Sequence, residues 1–346
     1  MFTRGPMHIY RVIARAIEND EPGATLTYSN GVPHVRSSSG RGYISKLGTN
    51  NELEQFVAEA ESLKAMHIAA PGLAPRLIAC GVIDEENAER PDDVGKPYFV
   101  SEYKDLTSLT DASAKTLAKR LATEMHQYKS PNGFGFQVPT FCGATRQANG
   151  WYSSWEECYD ALIGGLLDIL KLQRGYASLC RKGEQVRKRV IPGLLHDLVI
   201  QPVLLHGDLW SGNTGTDRTT GEPVIFDPSS YFGHNEADLA IARIFGGIPK
   251  SFFITYHEHM PKSEPEDQYD LRGDLYELYH YLNHTVLFGG GGYAGSADAK
   301  MTKLLNIPMN VAGKMARLRE PLENGSEVEF MKSQNASRHW ALHSKQ

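Results

Sequence analysis

Asp208, Asn213 and Asp227 are three oxygen-bearing side chains whose order and spacing could do chemistry together. The first two lie in VLLHGDLWSGN, residues 203–213, where three apolar residues run into His206, Gly207 and Asp208, and an Asn follows five positions past the Asp. Fourteen residues after Asn213, the run EPVIFD ends a short apolar strand on Asp227, and TGTDRTTGEP before it suits the turn of a hairpin. A carboxylate and a carboxamide can bind a hard cation such as Mg²⁺ with less charge than two carboxylates would bring. That assigns Asn213 and Asp227 to a metal and leaves Asp208 to orient an acceptor hydroxyl and take up its proton. Gly207 permits the tight backbone that aims it. The chemistry implied is phosphoryl transfer.

Taken singly, each of these residues is also an ordinary turn former or strand exit, so the weight falls on their joint order. Protein kinases place a catalytic Asp, an Asn five residues later and a third Asp just past the next hairpin in this order, and they require two upstream parts as well. One is a strand lysine after a flexible loop: Lys46 ends YISK. The other is a helical glutamate to pair with it: Glu59 lies 13 residues on. SNGVPHVRSSSG, residues 29–40, could cover the phosphates, although it lacks a true G-x-G-x-x-G. Neither a Walker A pattern nor a Rossmann fingerprint occurs anywhere in the chain.

The elements that must position these residues follow from periodicity. Residues 24–47 read as a strand, a Gly/Ser-rich turn and a second strand ending near Lys46. Thr49-Asn-Asn-Glu52 has capping-box spacing, and Leu53, Phe56, Val57, Ala60 and Leu63 then recur on one helical face with Glu59 at its edge. LIACGVI and PYFVSEY read as strands on either side of a charged tip. From residue 113 the helical period dominates: Leu117, Leu121, Met125 and Tyr128 form one stripe, and further helices are expected near 155–182, 236–246 and 267–288. Strand-like segments return only around 203–227. The expected architecture is α+β and bilobal, with a small β-rich lobe over 1–103, a larger, mainly helical lobe over 104–305 and an appendage over 306–346, partly disordered.

Composition agrees with a globular protein: 41% hydrophobic and 22% charged residues over 346, with a net charge of -5. There is no global basic field to hold nucleic acid or an anionic membrane. The four cysteines are scattered without a C-x-x-C, the start has no apolar signal core, and no apolar run reaches membrane length, so a cytoplasmic, reducing home is expected. His257-x-His259 and the helically spaced His280 and His284 invite a metal, but no HExxH or cysteine accompanies them, and they read as satisfied core or surface histidines. Gly289–Gly292 reads as a flexible connection.

LLHGDLWSGN, followed by DPSSYFGHNEADLAIARIFGGIPKSFFITYH and YLNH, resembles the fructosamine-3-kinase (ketosamine-3-kinase) family, as do GFGFQVPTFCG and the W-x-x-x-W of Trp151 and Trp155. The likeness runs from about 20 to 305. It implies a protein-kinase-like bilobal fold and ATP- and Mg²⁺-dependent phosphorylation of the sugar 3-hydroxyl of ribulosamines or fructosamines, on small amines or protein lysines, leading to deglycation. By the same resemblance Asp208 is the proton acceptor, Asn213 and Asp227 hold the metal, and Lys46 and Glu59 form the ion pair. Ser101, Glu102 and Tyr103 take the adenine-binding hinge, and Trp210 faces the sugar. Two departures stand out: the loop over 29–40 lacks the cysteine that animal members can carry, and the residues after about 306 lie beyond the family pattern. The HGD core is shared with aminoglycoside and choline kinases, so a kinase for another hydroxyl, or a nucleotide-binding pseudokinase scaffold, are the rival readings.

Overall fold

The computed structural model describes residues 10–28, 31, 34–290 and 292–308. Helix α1 (Arg11–Asp20) precedes three strands, β1 (Leu26–Tyr28), β2 (Val35–Ser37) and β3 (Gly42–Leu47). Helix α2 (Leu53–Ala69) then leads to β4 (Leu77–Val82) and β5 (Pro97–Glu102). The five strands form one antiparallel sheet in the order β1-β2-β3-β5-β4.

Strand pleating decides what each face does, because successive side chains point to opposite sides. On β5, Val100 joins Val12, Ile13, Ile17 and Tyr43 in the cluster under α1, whereas its neighbour Phe99 joins Phe56 and Leu63 in the main core. On β3, Tyr43 and Lys46 differ in parity, so Tyr43 enters the α1 cluster and Lys46, opposite Phe99 in the register, turns toward α2. The Glu52 carboxylate accepts the Thr49 N–H at 2.7 Å, as the capping-box spacing predicts, and this fixes where α2 begins.

Past β5 the chain is mostly helical. It runs through β6 (Leu106–Thr107), α3 (Asp111–Thr123), the small hairpin β7 (Phe141–Cys142) and β8 (Thr145–Arg146), then α4 (Trp155–Leu172), α5 (Ala177–Gln185) and α6 (Ile191–Leu195). Four short strands follow: β9 (Val203–Leu205), β10 (Thr214–Asp217), β11 (Pro223–Ile225) and β12 (Tyr231–Gly233). The described residues close with α7 (Asn235–Ile244), α8 (Lys250–His259), α9 (Tyr269–Phe288) and α10 (Tyr293–Leu305). β6 pairs with β10, so the link after β5 is tied directly to the strand that follows Asn213. Leu117, Leu121, Leu204, Leu239 and Leu278 are each fully buried, worth about 2 kcal/mol apiece in apolar transfer.

Several expectations are corrected. Residues 24–47 hold three strands rather than two: β2 lies inside the stretch read as one phosphate-covering loop, so the Ser-Gly turn near 38–41 is a separate hairpin tip. The connection that leaves β1 is 29–34, of which Ser29, Asn30, Val32 and Pro33 lie outside the described residues. The helical stretch near 155–182 breaks at Gly175, whose φ of 95° is closed to a right-handed helix. Helix α3 ends at Thr123, so Met125 is buried from a following 3₁₀ turn, and Tyr128, only partly buried, packs on the core from a loop. Helices α1, α8 and α10 were not anticipated. Of the appendage over 306–346, all from 309 onward lies outside the described residues. Among the described residues no helix is long and apolar enough to cross a membrane.

Candidate active site

Two antiparallel strand pairs, the second a hairpin enclosed in sequence by the first, bring the loops that carry the three oxygen-bearing residues together. β9 pairs antiparallel with β12, Leu205 opposite Tyr231, and β10 pairs with β11, Thr214 opposite Ile225. The loops over 206–213 and 226–230 therefore leave the strands at the same end. They are stitched by two backbone bonds: Ser229 N–H to His206 O at 2.8 Å and Phe226 N–H to Asn213 O at 3.0 Å. Gly207 has φ 81°, and a Cβ there would stand 2.2 Å from Ser229 O, so the two loops can approach only with glycine at that position. Asp227, at φ 59°, is the one non-glycine with positive φ among the described residues. Asp tolerates this region better than most residues, at about 1–2 kcal/mol, and backbone strain of this kind clusters at functional sites.

Asn213 donates both N–H groups of its amide to Asp208, to the backbone oxygen and to carboxylate Oδ2, each at 2.9 Å. This fixes the amide flip: Nδ2 faces Asp208, and Oδ1 is left as the outward end. Asn213 is buried, whereas Asp208 is half-buried. An amide oxygen and the Asp227 carboxylate, held on loops one backbone bond apart, are the donor set a hard divalent cation takes.

Behind the loop stands a residue that sequence reasoning passed over. Asp238, buried on α7, accepts the backbone N–H groups of His206 at 2.7 Å and Gly207 at 2.8 Å, and its Oδ2 lies 3.2 Å from His126 Nε2. Burial works to raise its pKa, but the hydrogen bonds from His126 and the Gly207 N–H favour the carboxylate, and the net shift is downward. A signal was present: an acid inside ADLAIA, surrounded by apolar residues, needs a buried partner. His206 completes the frame, its Nδ1 accepting the Asp208 N–H at 3.2 Å and its Nε2–H donating to Phe226 O at 3.0 Å. One donated and one accepted bond is the pattern of a neutral imidazole, and burial lowers its pKa in the same direction.

Burial likewise lowers His234 to about 4 and His280 to about 3. A histidine whose folded pKa is depressed contributes its full stability above pH 6.5 and loses it as pH falls from there toward the folded value. Each costs about 1.4 kcal/mol per pH unit over that window. Melting temperatures measured from pH 7.5 to 4.5 should hold steady down to about 6.5 and then fall steeply; a level profile to 4.5 would contradict this.

Lys46 and Glu59 meet as predicted, with Nζ 2.8 and 2.6 Å from the two carboxylate oxygens and 5.1 Å from the Phe99 ring centroid. Ser101 is buried opposite Ile44, and Glu102 ends β5. The backbone N–H groups of Glu102 and Tyr103 are committed to Arg76 O and Gly42 O, so a base docking at 101–103 must use other backbone groups. The Trp210 ring lies over Gly212, where a Cβ would come within 2.3 Å of it, and meets Phe245 edge-on at 5.7 Å. His280 departs from the satisfied core histidine expected: its Nδ1 has no hydrogen-bond partner, and Cys142, distant in sequence, lies beside it.

Comparison with known proteins agrees with this geometry. The fructosamine kinase family model matches residues 29–307. A protein of Arabidopsis thaliana named protein-ribulosamine 3-kinase, chloroplastic, is 38% identical over 268 residues, 76% of this chain and 76% of the relative. Mouse ketosamine-3-kinase is 41% identical over 180 residues, 52% of this chain and 54% of the relative. Among solved structures, one from Haemophilus somnus 129PT, named provisionally as a fructosamine-3-kinase, superposes with a TM-score of 0.69 at 21% identity over 85% of this chain and 97% of its own. The fold is protein-kinase-like.

Proposed function

Since this chain belongs to the fructosamine kinase family, we propose that it is an ATP-dependent ketosamine 3-kinase, transferring the γ-phosphoryl group to the 3-hydroxyl of a ribulosamine or fructosamine. The observation that carries the reading is that, in a member of that family, the Asn213 amide is bonded to a half-buried Asp208, the loop that carries Asp227 is stitched to theirs, and Lys46 pairs with Glu59. Asp208 orients the acceptor hydroxyl and takes its proton as the oxygen attacks phosphorus in line with the departing ADP. Lys46, held by Glu59, steadies the nucleotide phosphates, and the segment over 101–103 receives the adenine. Asn213 Oδ1 and the Asp227 carboxylate would hold Mg²⁺, which supplies positive charge to the phosphate oxygens when bound. Trp210 offers an aromatic face at the mouth of the same loop, against which the acceptor sugar packs.

The product explains a repair role. A phosphate on C3 of a ketosamine becomes allylic once C1 and C2 enolise, leaves readily, and hydrolysis then frees the amine, whether a small molecule or a protein lysine. A reducing, cytoplasmic setting suits four cysteines that are all free thiols.

The test is ADP release by the purified protein with Mg-ATP and ribulosyl-lysine, fructosyl-lysine, an aminoglycoside or no acceptor. Stimulation by a ketosamine alone is the expected result. Stimulation by the aminoglycoside alone would replace the substrate class, and none with any acceptor, despite ATP binding, would favour a scaffold.

A further inference from the structure

Among the described residues, Thr145 Oγ1, Gln147 Oε1, Ser230 Oγ, Tyr279 OH, His280 Nδ1 and Asn283 Oδ1 are buried side-chain atoms with no hydrogen-bond partner. Folded proteins leave few such atoms, and each costs about 1–3 kcal/mol. These six come from three places, the β7–β8 hairpin, the segment entering β12 and one face of α9, and those places converge. Asn283 Nδ2 donates to Cys142 O at 3.2 Å, Gln147 Nε2 to Ser229 O at 3.2 Å, and Ser229 Oγ to Phe141 O at 2.6 Å. Ligand atoms of Cys142, His280 and Asp208 all lie within 4.8 Å of one another. The unpartnered cluster therefore forms a buried polar wall beside the Asp208 carboxylate.

The chemistry of the wall narrows what it takes. With the amide nitrogens of Gln147 and Asn283 spoken for by carbonyls, Oε1 and Oδ1 are acceptors that want O–H or N–H donors. Gln147, His280 and Asn283 are respectively 3%, 5% and 0% exposed. Burial keeps His280 neutral and holds the Cys142 thiol protonated, so neither an imidazolium for an anion nor a thiolate for a soft metal is on offer. Acceptor oxygens beside a carboxylate repel phosphate. What fits is an uncharged ligand bearing several hydroxyls.

We propose that Gln147, His280 and Asn283 form a polyol subsite that binds the ketose hydroxyls next to the one phosphorylated and so sets that oxygen against Asp208. The proposal rests on the ketosamine reading above and assigns these three residues positioning and specificity roles.

His280→Leu and Gln147→Leu remove single polar partners, while His280→Asn keeps one. With ribulosyl-lysine as substrate, each Leu variant should raise the ketosamine KM about tenfold and leave the ATP KM unchanged, and His280→Asn should recover part of what His280→Leu loses. The 4-deoxy analogue should be a poor substrate for the unaltered protein. In the variant that has lost its partner for that hydroxyl, removing the hydroxyl should cost nothing further. Calorimetric titration of unphosphorylated ribulosyl-lysine reads the subsite without turnover, and ADP titration with thermal melting checks that each variant is folded. Folded variants with unchanged ketosamine KM, or an undiminished deoxy penalty in every variant, overturn the subsite. Protein that binds the ketosamine with the same dependence on His280 and Gln147 but transfers nothing to it overturns the functional reading and keeps the subsite. Protein that neither binds nor phosphorylates it overturns both.

Discussion

Replacing Asp208 with asparagine should lower turnover by roughly 10²–10⁴, about 3–5 kcal/mol of barrier, while ATP still binds. The substitution is close to isosteric, and the new amide can present its oxygen to Asn213 Nδ2, preserving the 2.9 Å bond that now reaches the carboxylate. What disappears is the group that accepts the hydroxyl proton as the oxygen attacks phosphorus. Because the loop geometry is kept, kcat should fall with little change in nucleotide affinity, which single-turnover kinetics and an ADP titration would separate. Near-native turnover would remove Asp208 from its assigned role.

Asp238→Ala should be the second most damaging change, although Asp238 is placed behind the loop rather than in the pocket. Its carboxylate is the common acceptor for His206 N, Gly207 N and His126 Nε2. Alanine leaves those donors buried and unpaired, at about 3–5 kcal/mol of stability. The loop that aims Asp208 loses its anchor, and a displacement near 1 Å costs about 10² in rate. Two readouts distinguish positioning from general destabilisation. At a temperature where circular dichroism shows the variant folded, kcat should still be depressed while the ATP KM holds. Asp238→Asn, which can satisfy one backbone N–H but turns an amine on the other, should fall between the two. A folded Asp238→Ala protein with full turnover would mean that the loop holds its shape through His206 and Ser229 alone.

Much of the local structure around the site was legible because it is governed by short-range rules. The capping box at Thr49–Glu52, the pairing of Lys46 with Glu59 and the hairpin between Thr214 and Ile225 each depend on spacing within a few turns or one strand pair. The errors were local as well. A three-residue strand such as β2 is too short to show an alternation, and Gly175 inside a helical pattern is silent until its φ is known.

The sequence by itself pointed to the class of chemistry: an Asp and an Asn five apart, a third Asp past a hairpin, and a Lys and a Glu upstream follow the order that phosphoryl transfer uses in protein kinases. Only the tertiary structure decided what holds and surrounds that chemistry. Asp238 meets His206 across 32 residues and His126 across 112, and Asn283 reaches Cys142 across 141. Periodicity reports which face of an element is apolar, but not which distant element will cover it. A buried acid under a loop and a wall of unpaired acceptors behind a carboxylate therefore emerge only when the chain closes on itself.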